Sequence, residues 1–224
     1  MKTTKIVAVC AAGFLLLTAC TVKSPSPAEP DLMSRPTMER YVTNEIKEYK
    51  GVRLDPAIGP RDNSIKGIQN VPIEGYTLKL NGLVNQEVAI SYEEVLKMTP
   101  VEKLITLHCV EGWDATVLWK GVRIKSLMDL AIAKPNANTV IFHCYDGYTT
   151  SMPLNTILER DMILAYSSNE VALPASLGFP FIVVAKDKLG YKWARWVTQI
   201  ELSDNNSFKG YWENYGYDNN AEIK

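Results

Sequence analysis

Two short segments of the chain each place a histidine and a cysteine side by side at the end of an apolar run. The segments are ITLHCVEGW at 105–113 and VIFHCYDGY at 140–148. They contain the only two histidines of the chain and, beyond residue 20, its only two cysteines. In each segment the cysteine is followed by one other residue and then by an acid, a glycine and an aromatic residue. This order is typical of a strand that ends in a turn.

Several chemistries are open to these residues. Two cysteines and two histidines are a ligand set that tetrahedral zinc accepts. Adjacent residues of one strand point to opposite faces, however, so one segment can hardly offer both of its ligands to a single ion. A disulfide between Cys109 and Cys144 is the usual expectation for an exported protein.

A third possibility is a single cysteine thiolate that binds a soft or high-valent metal. Cys109 fits this role better than Cys144, because Glu111, Gly112 and Trp113 supply a turn and a bulky wall beside it. Against this stands the common case of a lone strand cysteine, which is a small buried hydrophobic residue. Residue spacing alone does not decide among these alternatives.

The N-terminus has the pattern of a lipoprotein signal. Lys2 and Lys5 precede an apolar run, and the run closes on Leu17-Thr18-Ala19-Cys20, which resembles a bacterial lipobox. We therefore expect residues 1–19 to be removed and Cys20 to carry lipid as the mature N-terminus, which would anchor the exported protein to a membrane of the cell envelope, on its periplasmic or extracellular side. Residues 20–37 begin with TVKSPSPAEPD, a composition typical of a flexible tether.

Composition excludes some classes of partner. Without Lys2 and Lys5 the mature chain has 22 basic and 25 acidic side chains, a net charge of −3, and no basic cluster. We expect no nucleic-acid binding. Residues 38–224 are long enough for one well-packed domain.

The elements predicted within this domain indicate an α+β fold with a mixed β-sheet core and short inserted helices. MERYVTNEIKEYK (38–50) is a possible helix, Ser91 and Glu94 have capping-box spacing before a second, and KSLMDLAIA and TILERD predict two more. Seven segments predict strands: TLKLNGLV, KLITLHC, VLWKGVRI, NTVIFHC, MILAYS, GFPFIVVA and WVTQIEL. The sequence has no GxGxxG, GxxxxGK[ST], CxxCH or HExxH motif, so nothing indicates a nucleotide, haem or zinc-protease site.

Six segments in order along the chain carry a resemblance to a known family. They are Asn63-Ser64-Ile65-Lys66-Gly67 with Gln69, Leu107 to Trp113, Asp146 to Leu154, Leu173-Pro174, Gly178-Phe179-Pro180, and Gly190 to Val197. From about residue 63 to 217 the chain resembles the molybdopterin-binding domain of the sulfite oxidase family. The resemblance implies a molybdenum cofactor with one pyranopterin and oxygen-atom transfer on a small sulfite- or sulfoxide-like substrate. It also implies an external electron carrier, either a cytochrome or a membrane haem protein.

The resemblance also implies roles for individual residues. Cys109 matches the cysteine that binds molybdenum, and Tyr148 lies where its hydroxyl would orient substrate. The residues that match cofactor contacts are Asn63, Lys66, His143, Lys192, Trp193, Ala194 and Arg195. His108 and Cys144 are expected to face away from these groups.

Two positions depart from the family pattern. Leu177 and Ile182 stand where many relatives have polar residues that contact the pterin or its phosphate. Between Cys109 and Gly190 the chain has only two arginines, Arg123 and Arg160, neither at a motif position, whereas relatives that oxidise sulfite use several. The alternative is therefore a non-catalytic lipoprotein that binds a ligand or partner on the same fold.

Overall fold

The computed structural model describes residues 35–57 and 62–223 of the chain. The predicted signal peptide and Cys20 lie outside these residues, as does the predicted tether up to residue 34. None of the described helices reaches the length and apolar content needed to cross a membrane.

The described residues form short strands with a few short helices between them. The strands are β1 (Glu48–Tyr49), β2 (Val52–Arg53), β3 (Thr77–Gly82), β4 (Val88–Ser91), β5 (Val101–His108), β6 (Asp114–Arg123), β7 (Thr139–Cys144), β8 (Thr149–Pro153), β9 (Ile163–Ser168), β10 (Val171–Ala172), β11 (Ile182–Val184) and β12 (Val197–Ser203). The helices are α1 (Arg35–Asn44), α2 (Tyr92–Lys97), α3 (Ile124–Ala131), α4 (Leu154–Glu159) and α5 (Tyr211–Asn214), with 3₁₀ turns at Ala175–Leu177 and Gly190–Lys192.

Two five-stranded sheets share one apolar core. The first has the order β4-β3-β12-β7-β8, in which β12 pairs with β3 in parallel and every other pair is antiparallel. The second has the order β10-β9-β6-β5, with β11 also paired to β9, and is antiparallel throughout. One apolar cluster joins Leu80 and Phe142 of the first sheet to Val122 and Leu164 of the second, all fully buried. This mixed arrangement with few helices confirms the predicted α+β class.

Local sequence accounts for where the helices lie. At α2 the Ser91 hydroxyl accepts from the Glu94 amide, while the Glu94 carboxylate accepts from the Ser91 amide at 2.8 Å, so the predicted capping box is present. In α3 the buried residues are Ile124, Leu127, Met128 and Ala131, the spacing that places one helix face on a core.

Most predicted helices and strands are confirmed, and the elements that were mispredicted or missed are short. The helix predicted for 38–50 is wrong in its second half, because α1 ends at Asn44 and Glu48–Tyr49 pairs with Val52–Arg53 as a hairpin. The sequence reading missed β4, β8, β10 and α5. Each of these has six residues or fewer, too few for a clear periodic pattern.

Candidate active site

Both histidine–cysteine segments fold into the same hairpin turn. In the first, the Cys109 amide donates to the Trp113 carbonyl (2.9 Å), and the Gly112 amide donates to the Cys109 carbonyl (3.0 Å). In the second, the amides of Cys144 and Gly147 make the equivalent bonds, each 3.0 Å long. The two glycines have φ values of +83° and +86°, which favour glycine over other residues. The shared sequence pattern therefore encodes a shared turn.

The first hairpin lines two adjoining cavities. The larger cavity has a volume of about 360 Å³ and the smaller one about 170 Å³. Cys109, which is 8% exposed, lines both cavities together with Asn63, Gly190, Trp193 and Arg195. The larger cavity has a size typical of small-molecule sites, which combine apolar walls with a few convergent polar groups. Cys109 therefore lies on the wall that the two cavities share.

Polar groups and a glycine surround the Cys109 sulfur. The Asn63 amide nitrogen lies 3.9 Å from Sγ, and Glu111 Oε2 lies 4.0 Å from it. The same Glu111 oxygen accepts from the Trp113 indole at 2.9 Å, which fixes the carboxylate beside the hairpin. Gly190 packs closely beside the hairpin, since a Cβ at this position would lie 3.4 Å from the His108 carbonyl oxygen and 3.7 Å from the Cys109 Cα, both ordinary contact distances.

Arg195 brings a buried positive charge to both cavities. Its guanidinium donates to the Ser176 carbonyl (2.9 Å), to Asn63 Oδ1 (3.3 Å) and to Asp62 Oδ1 (3.4 Å). Burial lowers the pKa of the guanidinium, while the charges of Asp62 and Asp146 act to raise it. Arginine keeps its charge in proteins, so this side chain is a fixed cation for an anionic ligand.

The Arg195 side chain depends on a glycine beside it. Gly178 has a φ of +109°, and a Cβ at this position would lie 2.9 Å from Arg195 Cβ and 3.1 Å from its Cα. We expect Gly178→Ala to destabilise the fold by about 1–3 kcal/mol more than Gly51→Ala. Gly51 is the control, because it also has a positive φ, of +80°, but no atom lies within 4 Å of its added Cβ. Urea denaturation of both variants measures the difference, and equal losses would contradict the role of the close approach.

Cys144 is separated from the chemistry of the first hairpin. It is buried, it lines neither cavity, and no disulfide joins it to Cys109, so the structure does not support the disulfide alternative. Burial raises the pKa of its thiol well above the ordinary value, with a smaller contribution from Asp146. A buried thiol of this kind is unreactive. Among the described residues no group of three or more potential ligands could hold a zinc ion either.

The smaller cavity contains both positions that depart from the family pattern. Leu177 and Ile182 line it, together with the aromatic rings of Trp113 and Trp119. Its polar lining residues are Asp62, Asn63, Ser176 and Arg195. The side chains at 177 and 182 are therefore apolar, and the polar groups of this cavity come from neighbouring positions such as Arg195, which forms a β-bridge with Ile182.

Aromatic side chains form much of the larger cavity. Its aromatic lining is Tyr148, Tyr191, Trp193, Trp196, Tyr211, Trp212 and Tyr217. Tyr148, predicted to orient substrate, is at this cavity, but its hydroxyl donates to the Tyr191 carbonyl. Burial raises the pKa of the Tyr148 phenol, so the hydroxyl stays protonated.

Sequence reasoning missed part of this lining, namely Glu111, Asp146 and the C-terminal aromatic residues of segment 211–217. The available signal was the density of aromatic residues in GYWENYGYD at 210–218. Sequence alone gave no reason to place that segment at the cavity, because the contact joins parts of the chain far apart in sequence.

Four of the residues predicted to contact a cofactor do not line either cavity. His143 is on the opposite face of β7 from Cys144, and its Nε2 lies 2.8 Å from a Glu201 oxygen on β12. Lys192 is fully buried in an ion pair with Glu213. Ala194 is also fully buried, within the apolar core.

Lys66 is exposed, with its ammonium near Gly147. Asn63, Trp193, Arg195 and Cys109 are the predicted residues that the structure brings together with Tyr148 at the cavities. These five are the ones we retain as site candidates.

Comparison with protein families gives one match over most of the domain. The family described as "Oxidoreductase molybdopterin binding domain" matches residues 66–212. The "Uncharacterized oxidoreductase YuiH" of Bacillus subtilis is 34% identical over 143 residues, covering 63% of this chain and 72% of that protein. The "Putative protein-methionine-sulfoxide reductase subunit YedZ1" of Azospira oryzae is 33% identical over 217 residues, covering 92% of this chain and 81% of that protein.

More distant relatives share only part of their length with the chain. The mitochondrial sulfite oxidase of Drosophila melanogaster is 26% identical, and the match covers 87% of this chain but 36% of that protein. Among solved structures, the sulfane dehydrogenase SoxCD of Paracoccus pantotrophus superposes with a TM-score of 0.60 at 19% identity, covering 66% of this chain and 46% of that chain. At this identity the likeness is one of fold.

Proposed function

Because the chain belongs to the family of the oxidoreductase molybdopterin-binding domain, as its sequence predicts, we propose that it uses a molybdenum–pterin cofactor to remove the oxygen atom of a small organic sulfoxide. The sulfoxide oxygen leaves as water, so each turnover consumes two protons and two electrons. The electrons come from an external carrier. The single observation that carries this proposal is the position of Cys109 on the wall shared by both cavities.

The residues at the cavities suit the cofactor. A thiolate is a soft, strongly donating ligand of the kind that high-valent metals accept, and Cys109 supplies the only sulfur on either cavity wall of the described residues. The pterin ends in a phosphate, and a buried guanidinium is a strong partner for phosphate oxygens. Arg195 supplies that charge, and Asn63 supplies amide contacts on the same side.

When bound, the cofactor supplies oxygen-atom transfer coupled to a change of metal oxidation state. The protein groups bind and orient. Cys109 would hold the metal, Arg195 and Asn63 the pterin, and Trp193 would exclude water between them. Glu111 and Tyr148 lie toward the larger cavity, where substrate would enter.

The larger cavity favours an uncharged sulfoxide over sulfite. Sulfite is a dianion, and the two carboxylates on this cavity, Glu111 and Asp146, would repel it. Among the described residues the one arginine on the cavity, Arg195, is the residue proposed to hold the pterin phosphate, so it is not also available to sulfite. The relative from Azospira oryzae, which is described as a putative protein-methionine-sulfoxide reductase subunit, supports the same direction.

Expression in a strain that makes the cofactor tests the proposal. We expect the purified protein to contain molybdenum at near-stoichiometric content, to release pterin on denaturation, and to oxidise a reduced dye when methyl sulfoxides are added. Sulfite should give little or no dye reduction in the reverse assay. Trace molybdenum with no released pterin would contradict the cofactor, and turnover of sulfite alone would contradict the direction.

The proposed location is the cell envelope, with the protein held at a membrane by lipid on Cys20. The lipobox-like sequence supports this anchor. Fractionation after labelling with radioactive palmitate should give a labelled membrane-bound protein, whereas Cys20→Ser should remain unlabelled. The description of the Azospira relative as a subunit supports a partner protein, for which an electron carrier is the simplest identity.

A further inference from the structure

The C-terminal segment 211–217 forms one wall of the larger cavity. Tyr211, Trp212 and Tyr217 of this segment line the cavity, and their rings pack closely. The centroid of Trp212 lies 5.2 Å from that of Tyr211 and 5.3 Å from that of Tyr217. Tyr217 also packs edge-on against Tyr191, with centroids 5.2 Å apart. The cavity thus presents several aromatic faces and edges to whatever enters it.

Buried contacts of Glu213 and Lys192 hold this aromatic wall in place. Glu213, on the same short helix, forms a fully buried ion pair with Lys192 and accepts from the Thr150 hydroxyl at 2.7 Å. The Lys192 ammonium also donates to Asn219 Oδ1 at 3.1 Å, beyond the aromatic segment. The rings are therefore held on both sides, which lowers the entropy that a ligand loses on binding to them.

Two carboxylates, those of Glu111 and Asp146, line the same cavity. Among the described residues, neither Glu111 nor Asp146 has a lysine, arginine or histidine nitrogen within 4.0 Å. Asp146 is only 3% exposed and accepts a single bond, from the Tyr148 amide at 2.9 Å. Arg195 interacts with Asp146 only at longer range, since its direct partner is Asp62. Within the described part of the chain these two carboxylates therefore have no direct ion-pair partner, and Glu111 in particular remains available to a cationic ligand.

Aromatic rings combined with carboxylates are the chemistry that recognises methylated ammonium groups. We propose that the larger cavity selects sulfoxides that carry a trimethylammonium-type cation a few bonds from the reacting sulfur. This selection rests on the proposed sulfoxide reduction. Glu111, whose carboxylate lies 4.0 Å from the Cys109 sulfur, would bind the cation together with the aromatic wall, so that the sulfoxide a few bonds away would lie beside Cys109.

A matched set of substrates tests the selection. Three alkyl methyl sulfoxides of equal length, ending in trimethylammonium, hydroxyl or carboxylate, are compared by kcat/KM with the holoenzyme and a reduced dye. We expect the trimethylammonium compound to exceed the hydroxyl compound by about tenfold, mainly through KM, and the carboxylate to be the poorest. Glu111→Gln and Tyr217→Ala should each reduce the preference, whereas Glu87→Gln, on an exposed loop away from the cavities, should leave it unchanged. Equal kcat/KM values for the three compounds, or a preference for the carboxylate, would overturn the inference.

A binding measurement separates this inference from the proposed reaction. Tetramethylammonium and its uncharged analogue tert-butanol are titrated into the full chain while tryptophan fluorescence is recorded, since Trp193, Trp196 and Trp212 line the cavity. Saturable quenching by tetramethylammonium only, weakened in Glu111→Gln, supports the cation site even if no sulfoxide is reduced. Turnover of the hydroxyl compound without any cation binding would preserve the reaction and overturn the selection.

Discussion

Cys109→Ser is expected to lower turnover by more than about 100-fold. Removing a residue that only supports a metal ligand costs up to about 100-fold, and removing the ligand itself should cost more. The reason is positional as well as chemical. Cys109 lines both cavities, and serine is a hard ligand whose hydroxyl does not ionise near neutral pH. The variant should also lose the thiolate-to-metal charge-transfer absorbance of the loaded enzyme. Visible absorption and molybdenum content, measured on the same preparations, check both statements.

Cys144→Ser is the matched control for this experiment. It replaces the same atom in the same type of turn, but the side chain is buried and lines neither cavity. We expect its turnover per molybdenum atom to match the wild type, with some loss of stability from the buried hydroxyl. If both variants lost activity equally, the assignment of Cys109 would fail. If the wild type had no turnover and Cys109→Ser still bound a ligand, the non-catalytic alternative would be favoured.

Local turn chemistry explains why the two hairpin turns were predictable from sequence, whereas the role proposed for Cys109 came from the family resemblance. A glycine three positions after each cysteine, with an aromatic residue next, predicted a strand that ends in a turn, and both hairpins have this form. The alternation of side chains along a strand also predicted that His108 and Cys109 would face apart. His108 accordingly pairs with Asp114 on the neighbouring strand, with 2.7 Å between the two side chains. Such features depend on residues within about ten positions of each other.

The predicted cofactor contacts that do not line the cavities are instead engaged in contacts between distant parts of the chain. His143 was assigned to the cofactor through the family resemblance, yet the pleat of β7 places it beside Glu201, 58 residues away in sequence. The sequence did not predict the smaller cavity, but the two positions noted as departures from the family pattern, Leu177 and Ile182, both line it. The sequence shows which residues depart from the family pattern, but the packing of the two sheets determines which cavity those residues line.

Lys192 is the clearest case, because its burial can be converted into a prediction. The sequence reading placed its ammonium on the cofactor, but the ammonium donates to the Ser151 carbonyl at 2.9 Å and pairs with Glu213, and both charged side chains are 0% exposed. Burial lowers the pKa of Lys192, and the Glu213 carboxylate opposes this effect. The pair fixes α5, and with it the aromatic wall of the larger cavity, to the strand β8.

Lys192→Met should therefore destabilise the domain by about 3–5 kcal/mol, because the Glu213 carboxylate would remain buried without its partner. At 2–4 °C per kcal/mol for a domain of this size, the melting temperature should fall by roughly 6–20 °C. Lys125→Met is the control, since the Lys125–Asp129 pair has similar geometry (2.7 Å) but both side chains are about 60% exposed, and it should change stability by less than about 1 kcal/mol.

The double variant Lys192→Met/Glu213→Leu shows whether Lys192 stabilises the fold through its ion pair or contacts the cofactor. With both charges removed no ion stays buried alone, so the double variant should be more stable than the single one, as replacement of a buried pair by apolar residues often is. Thermal unfolding and molybdenum content are measured on the wild type, Lys192→Met, Lys125→Met and the double variant. A fall in molybdenum content with an unchanged melting temperature in Lys192→Met would restore the cofactor role that the sequence predicted. A melting temperature lowered together with a weakened preference for cationic sulfoxides would instead tie the buried pair to the wall it supports.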